Sequence, residues 1–299
     1  MTTLESVQQS LNRLADDGSG IFARQMRLAQ PLLGANRRID EGSHAGVLAT
    51  AVTTSAGVSG RLSFGGLSLL GGVSWARDEG GRAELDGAVT VAGALRYALP
   101  AGGAVRPFAE AGGWIAPDAR LRLSRTYMNG AGTAVGIGET RAEIAYYYFR
   151  AGASLAAGPA GEFALSGEIG SGRVDIEGYV EPLSAANPFE ATVSARSERM
   201  TILKLRGQYS LDLAPGLSAT LWGGAIWSRP DEDQRLTASV SGIGTLAAAS
   251  PRERWTEFGA RLGYELRSGL AIELFGDAST GENGAGKGGH AGLGLRARF

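Results

Sequence analysis

From residue 45 to the end, the chain reads mostly with a period of two. The last segment is the clearest: Ala291, Leu293, Leu295, Ala297 and Phe299 alternate with His290, Gly292, Gly294, Arg296 and Arg298. A strand with two arginines on one face and only apolar groups on the other belongs between oil and water. Residues 270–278 set Leu270, Ile272 and Leu274 opposite Glu273 and Asp277. Residues 256–266 set Phe258, Leu262, Tyr264 and Leu266 opposite Glu257, Arg261 and Glu265. Residues 203–213 and 89–99 follow the same rule, with Lys204, Arg206 and Arg96 on the polar side. Each run is close to the ~9–11 residues that a tilted membrane strand needs.

The connections fall into two sets. Short turns marked by Gly or Pro occur at 65–66, 100–103, 158–161, 214–216 and 267–269. Longer polar connections occur near 78–84, 128–140, 178–190, 229–251 and 279–289. Short turns on one side and long loops on the other are the pattern of outer-membrane barrels. The segments between them are 45–64, 66–77, 85–99, 104–123, 141–157, 161–177, 191–213, 216–228, 252–267, 269–278 and 288–299. A bacterial barrel of one chain has an even number of strands, so one more is expected upstream. The candidate is Gly20-Ile-Phe-Ala-Arg-Gln-Met-Arg-Leu28. The rival is that 45–64 is a hairpin and everything before residue 34 is helical. The shared parity of Leu48, Val52, Ala56, Val58, Leu62 and Phe64 favours one long strand. Either version gives about twelve strands, an all-β, transmembrane, antiparallel up-and-down barrel.

Aromatic residues suggest an orientation. Phe64, Tyr97, Phe163, Tyr209, Tyr264 and Phe299 lie on the apolar face near the short turns, and Trp75 and Trp227 lie toward the long loops. Two such bands are expected where rings sit at headgroup level. The competing reading is the ordinary aromatic enrichment of sheets.

The N-terminal part has another period. Leu4, Val7, Leu11 and Leu14 recur at three- and four-residue spacing, so an amphipathic helix is expected over 3–16. Thr2 or Thr3 can cap it and Gly18 can end it. The division is therefore 1–18 as a helical segment and 19–299 as the barrel. The helix either plugs the pore or is a disordered end. As a plug, its residues Gln8, Gln9, Asn12, Arg13 and Asp16 would meet a charged lumen.

Composition narrows the function. Gly is 47 of 299 residues without a collagen-like period, and net charge is −1, which gives no case for nucleic-acid binding. There are no cysteines. No run approaches the ~18 apolar residues of a membrane helix. The start, MTTLESVQQS, lacks a basic-then-apolar leader. An exported chain of this kind is expected to be the C-terminal piece of a longer precursor. His44 and His290 are the only histidines and no HExxH spacing occurs, so neither a metal nor a cofactor is expected. The glycine-rich stretch 281–289 is not a Walker motif and reads as a surface loop. No GxSxG elbow precedes a helix, so an enzyme is not expected.

The charged residues of the strands share one inferred face. Arg96, Arg106, Glu110, Arg150, Lys204, Arg206, Glu257, Arg261, Glu265, Glu273, Arg296 and Arg298 all fall there, with Arg61, Glu162 and Glu168. An Arg or Lys facing lipid at mid-depth costs ~2–4 kcal/mol. Turned inward, these groups stay hydrated or pair across strands.

Together these features resemble the C-terminal translocator domain of autotransporters, the type V secretion proteins. The resemblance rests on the Leu4–Leu14 helix, Gly20-Ile-Phe-Ala-Arg24, Val105-Arg-Pro-Phe-Ala-Glu-Ala-Gly112 and the terminal Leu293-Gly-Leu-Arg-Ala-Arg-Phe299, and it covers essentially the whole chain. Phe22 stands where the family's first strand has Trp. The resemblance implies a twelve-stranded barrel with a pore helix formed by Leu4, Val7, Leu11, Arg13 and Leu14. It implies a final strand, with Leu293, Leu295, Ala297 and Phe299, read by the barrel-assembly machinery. It implies export of the chain's own N-terminal passenger, absent here, across the outer membrane of a Gram-negative bacterium, with the C-terminus in the periplasm. Outer-membrane lipid is then a partner and the barrel is expected to be monomeric. Self-cleaving members cut between paired Asn residues in the pore helix. Gln8-Gln9 stands in that region and Asn12 has no Asn neighbour, so autocleavage is not expected. A stand-alone channel or porin is the competing class, and a soluble all-β protein is the third.

Overall fold

The structure is a computed structural model. It describes residues 2–299 except 35, 40, 51, 52, 80, 81, 100–103, 159, 160, 232–234 and 282–287. Val52, the 100–103 turn, part of the 158–161 turn and most of the glycine-rich loop therefore lie outside the described residues.

One helix, α1 (Thr3–Ala29), runs into a 3-10 turn (Gln30–Leu33). Among the described residues sixteen strands follow: β1 (His44–Thr50), β2 (Thr54–Phe64), β3 (Leu67–Asp78), β4 (Ala83–Ala98), β5 (Val105–Asn129), β6 (Gly132–Ala156), β7 (Gly161–Ile176), β8 (Tyr179–Glu181), β9 (Ala191–Val193), β10 (Arg196–Ala214), β11 (Leu217–Pro230), β12 (Arg235–Val240), β13 (Gly244–Ala249), β14 (Glu253–Arg267), β15 (Leu270–Gly281) and β16 (Gly288–Arg298). Twelve of them form a closed antiparallel barrel in which β1 pairs with both β2 and β16. Closure leaves no strand edge, which is what lets a sheet cross hydrocarbon.

The alternation read from the sequence becomes two chemically distinct walls. Leu203, Leu205, Leu262, Leu274, Leu293 and Leu295 are exposed on the outside, while Lys204, Arg206, Arg261, Glu273 and Arg296 are buried inside. The aromatic side chains Phe64, Tyr97, Phe163, Tyr209, Tyr264 and Phe299, and Trp75 and Trp227 toward the other end, are all exposed on the exterior. At the short-turn end the chain reverses through left-handed glycines, φ 78° at Gly216 and 81° at Gly269. Other residues enter that region only with strain.

Four expectations are corrected. The helix does not stop at Gly18: it continues to Ala29, so residues 20–28 are helical rather than a first strand. Packing inside the barrel overrides the ~1 kcal/mol penalty of each helical glycine. Residues 45–64 are a hairpin: the chain reverses between Thr50 and Thr54, with Thr50 opposite Ser55. Leu48 consequently packs toward the interior while Val47 and Val58 face out. Next, the 128–140 stretch is not a loop. It belongs to a β5–β6 hairpin that stays paired to Asn129 and Gly132, well beyond the other barrel strands. Finally, the 178–190 and 229–251 connections carry β8, β12 and β13, which with β9, the first residues of the segment expected as the 191–213 strand, form a separate four-stranded sheet over the long-loop end. Its apolar face, Val193, Leu236, Ala238 and Val240, is buried, so the short strands form by covering this end rather than by their own propensity.

Candidate functional site: a helix in a charged lumen

A 27-residue helix is about 40 Å long, more than the ~30 Å of a hydrocarbon core. It runs along the inside of the barrel. Its first turns lie at the long-loop end, where the Met128 N–H donates to Ser6 Oγ at 2.6 Å and Arg125 donates to Ser10 Oγ at 3.2 Å. Arg125 is in turn held by Glu181 of the small sheet at 2.6 Å, with both side chains fully buried. Burial, with Glu181 close by, pushes the neighbouring Tyr179 phenol well above its usual range, so it stays neutral.

The middle of the helix packs on rings. Phe22 is fully buried, 5.7 Å from the ring centroids of both Trp114 and Tyr146. Gly172 makes room for it: a Cβ there would stand 2.6 Å from the Phe22 ring. Polar contacts flank this cluster. Arg82 meets Asp17 at 3.0 Å, Arg24 meets Asp78 at 2.9 Å, and Gln25 donates to Thr90 Oγ1 at 2.6 Å.

The short-turn end is held mainly by charge. Gln30 donates to Glu257 at 2.9 Å, the carboxylate that also holds Lys204 at 2.9 Å. After Gly34 the chain turns back across the mouth. Arg37 grips Glu273 through both terminal nitrogens at 2.7 and 2.6 Å, Arg296 donates to the same carboxylate at 2.8 Å, and Glu41 pairs with Arg296. Wall side chains also take the backbone of this segment. Arg261 donates to Asn36 O at 2.9 Å, Arg61 to Ile39 O at 2.8 Å, and Gln208 to Arg37 O at 2.9 Å. Glu162 accepts from the Ile39 N–H at 3.1 Å. The helix and residues 36–39 and 41 together occupy the lumen.

A ladder braces the opposite wall. Arg96, Glu110, Arg150 and Glu168 alternate in sign across β4 to β7 at 2.5, 3.1 and 2.6 Å, with Tyr148 and Tyr146 donating to the two carboxylates at 2.7 Å. Charges buried in complementary pairs with hydrogen bonds to spare are tolerated where single charges are not.

The sequence-predicted residues divide accordingly. Arg96, Glu110, Arg150, Lys204, Arg206, Glu257, Arg261, Glu273 and Arg296 are buried inside the barrel. Arg106, Glu265 and Arg298 sit half-exposed or exposed at the short-turn rim. There Glu265 accepts from the Gly269 N–H of its own turn, and Arg298 lies 4.0 Å from Glu41. On the helix, Val7, Leu11 and Leu14 are buried, whereas Leu4 and Arg13 are exposed. Leu293, Leu295, Ala297 and Phe299 face outward. Sequence reasoning missed Asp17, Phe22, Gln25, Gln30, Arg37 and Glu41. The signal was present in Phe22, Met26, Ala29 and Leu33, spaced four, three and four apart, but Gly18 and Gly20 masked it.

No family model and no curated protein matches this sequence. Solved structures do. The translocator domain of the autotransporter NalP from Neisseria meningitidis superposes with a TM-score of 0.62 at 11% identity, over 98% of this chain and 99% of that one. The chain has the fold of an autotransporter translocator domain. The β domain of the Bordetella autotransporter BrkA gives 0.48 at 14% identity, over 86% of this chain and 99% of that one. The Ralstonia pickettii toluene transporter TbuX gives 0.49 at 11% identity, over 87% and 90%. In this translocator fold the lumen is where the residues of distant strands converge.

Proposed function

We propose that this chain is the translocator barrel of an autotransporter, which inserts in the outer membrane of a Gram-negative bacterium and delivers a polypeptide joined to its N-terminus to the cell surface. The observation that carries this reading is the direction of the helix. It enters from the short-turn end and its N-terminus emerges at the long-loop end, beside Met128 and the small sheet. A polypeptide attached there leaves through the long-loop mouth. The short turns and the C-terminus then face the periplasm. The outward side chains Leu293, Leu295, Ala297 and Phe299 are the surface offered to the barrel-assembly machinery. No bond is made or broken, and the buried ion pairs give the passing chain a polar wall.

The test is surface display. A reporter domain preceded by an export leader is fused ahead of Thr2. In intact cells the reporter is expected to be digested by added protease while the barrel remains folded and heat-modifiable. A folded barrel with the reporter protected inside the cell would reject export and leave a stand-alone channel.

A further inference from the structure

The exterior changes chemistry at a defined height on β7, β10, β11 and β14. Ile169, Leu203 and Trp227 form one cross-strand row of large apolar side chains facing out. Toward the long loops the exterior turns to arginine, after Ser171 on β7 and Thr201 on β10. Arg173 is directly opposite Arg199. Arg229 is opposite Thr201, one exterior place from Arg199, and Arg254 is opposite Trp227, one exterior place from Arg229. All four are exposed on consecutive strands of the barrel. The line shifts by one exterior place at β11 and again at β14, following the stagger that tilted strands impose on a level belt.

This arrangement needs an explanation. Like charges directly opposite one another cost stability, and arginine facing hydrocarbon at mid-depth costs ~2–4 kcal/mol. Arg173 meets Asp175 at 2.5 Å with Glu143 also near, and Arg199 and Arg229 have partners of their own; Asp231 lies further toward the loops, and Glu232 and Asp233 fall outside the described residues. An ion pair that stands open to solvent is weak and exchanges readily. The same four strands end at the other rim on Phe163, Tyr209, Leu217 and Tyr264. Cations are thus set above an apolar row at one end of these strands, and three rings and a leucine mark the other. Guanidinium forks match phosphate oxygens in pairs. The apolar row beneath matches acyl chains.

We propose that Arg173, Arg199, Arg229 and Arg254 form a binding surface for the phosphate groups of a phosphorylated glycolipid of the lipid A class, its acyl chains lying over Ile169, Leu203 and Trp227. This rests on the reading that the long loops face outward from a Gram-negative cell. Binding is measured on the purified, folded chain in detergent, by native mass spectrometry with lipid A, its dephosphorylated form and phosphatidylglycerol as probes. Wild type is expected to retain lipid A about tenfold or more better than the dephosphorylated form, and the R173Q/R199Q/R229Q/R254Q variant to lose that preference. The R120Q/R122Q/R141Q variant, altered higher on the exterior, is expected to keep it. Equal retention by the quadruple variant, or equal retention of phosphatidylglycerol by wild type, overturns the proposal. If the quadruple variant does not fold, indifference of wild type to loss of the phosphates overturns it as well. The assay in detergent does not depend on orientation or export. A failure of the translocator reading would instead leave lipid retention intact and the reporter undisplayed.

Discussion

Around Phe22 the helix meets the wall through rings and methyl groups. At residues 36–39 and 41 the same chain meets it mainly through ions and hydrogen bonds. The first contact is a cluster with Trp114 and Tyr146 in which each added methylene contributes by degrees. The second turns on one carboxylate. Glu273 receives Arg37 and Arg296 directly and lies 3.9 Å from Arg261. Apolar packing weakens in proportion to what is removed. A buried ionic node fails when one member is lost, because its partners are stranded.

The largest expected effect follows from that difference. Glu273→Gln leaves Arg37, Arg261 and Arg296 buried without their shared charge, and the expected cost is about 3–5 kcal/mol. The folding of the purified barrel in urea, followed by heat modifiability, reads this directly. An unchanged midpoint would mean that lumen water screens these ions and that the two ends are held alike.

Phe22→Ala should cost somewhat less, about 3 kcal/mol, from lost burial and the cavity left between Trp114 and Tyr146. The ionic latch at residues 36–39 and 41 stays in place, so the barrel is expected to remain folded while the middle of the helix loosens. Single-barrel conductance in a planar bilayer should become noisier, and Trp114 should become more accessible to a water-soluble quencher. A quiet pore with a shielded Trp114 would show that the ions alone fix the helix.

The two ends also differ in how far they were legible in the sequence. The exterior was readable because lipid imposes strict alternation: every second residue from Leu203 to Leu213 must be apolar or small whatever its neighbours do. The one parity that misled, through Leu48, crosses a chain reversal, where alternation carries no information about the face. The inward direction of the arginines and glutamates follows from the same rule, and Glu110, Arg150 and Glu273 lie where alternation puts them. Their partners do not follow. Arg37 and Glu273 are 236 residues apart, and only closure of the barrel brings them together. The three rim residues Arg106, Glu265 and Arg298 have the right parity, but parity carries no depth. The rest of the helix was hidden for a different reason. Gly18 and Gly20 carry a stop signal that local propensity obeys and tertiary packing does not. The small sheet was hidden because strands of three to six residues are stable only against something else.

The smallest expected effect lies at the first turn of the helix. The Glu5 N–H donates to Thr2 Oγ1 at 3.2 Å, and Glu5 Oε2 accepts from the Thr2 N–H at 2.8 Å, a reciprocal capping box. Both residues are exposed, and the first fully buried positions of the helix are Ser6 and Val7. Thr2→Ala should therefore cost about 1 kcal/mol of local helix stability and almost none of the barrel's. Hydrogen exchange should speed up in the first turn and stay unchanged from Leu11 onward, with the urea midpoint where it was. The prediction separates two ways of holding a helix. If the wall grips it residue by residue, fraying stops at the first buried contact. Faster exchange spreading as far as Phe22 would mean that the cap and the ring cluster form one cooperative unit, and the contrast between the two ends would then extend to the ionic latch alone.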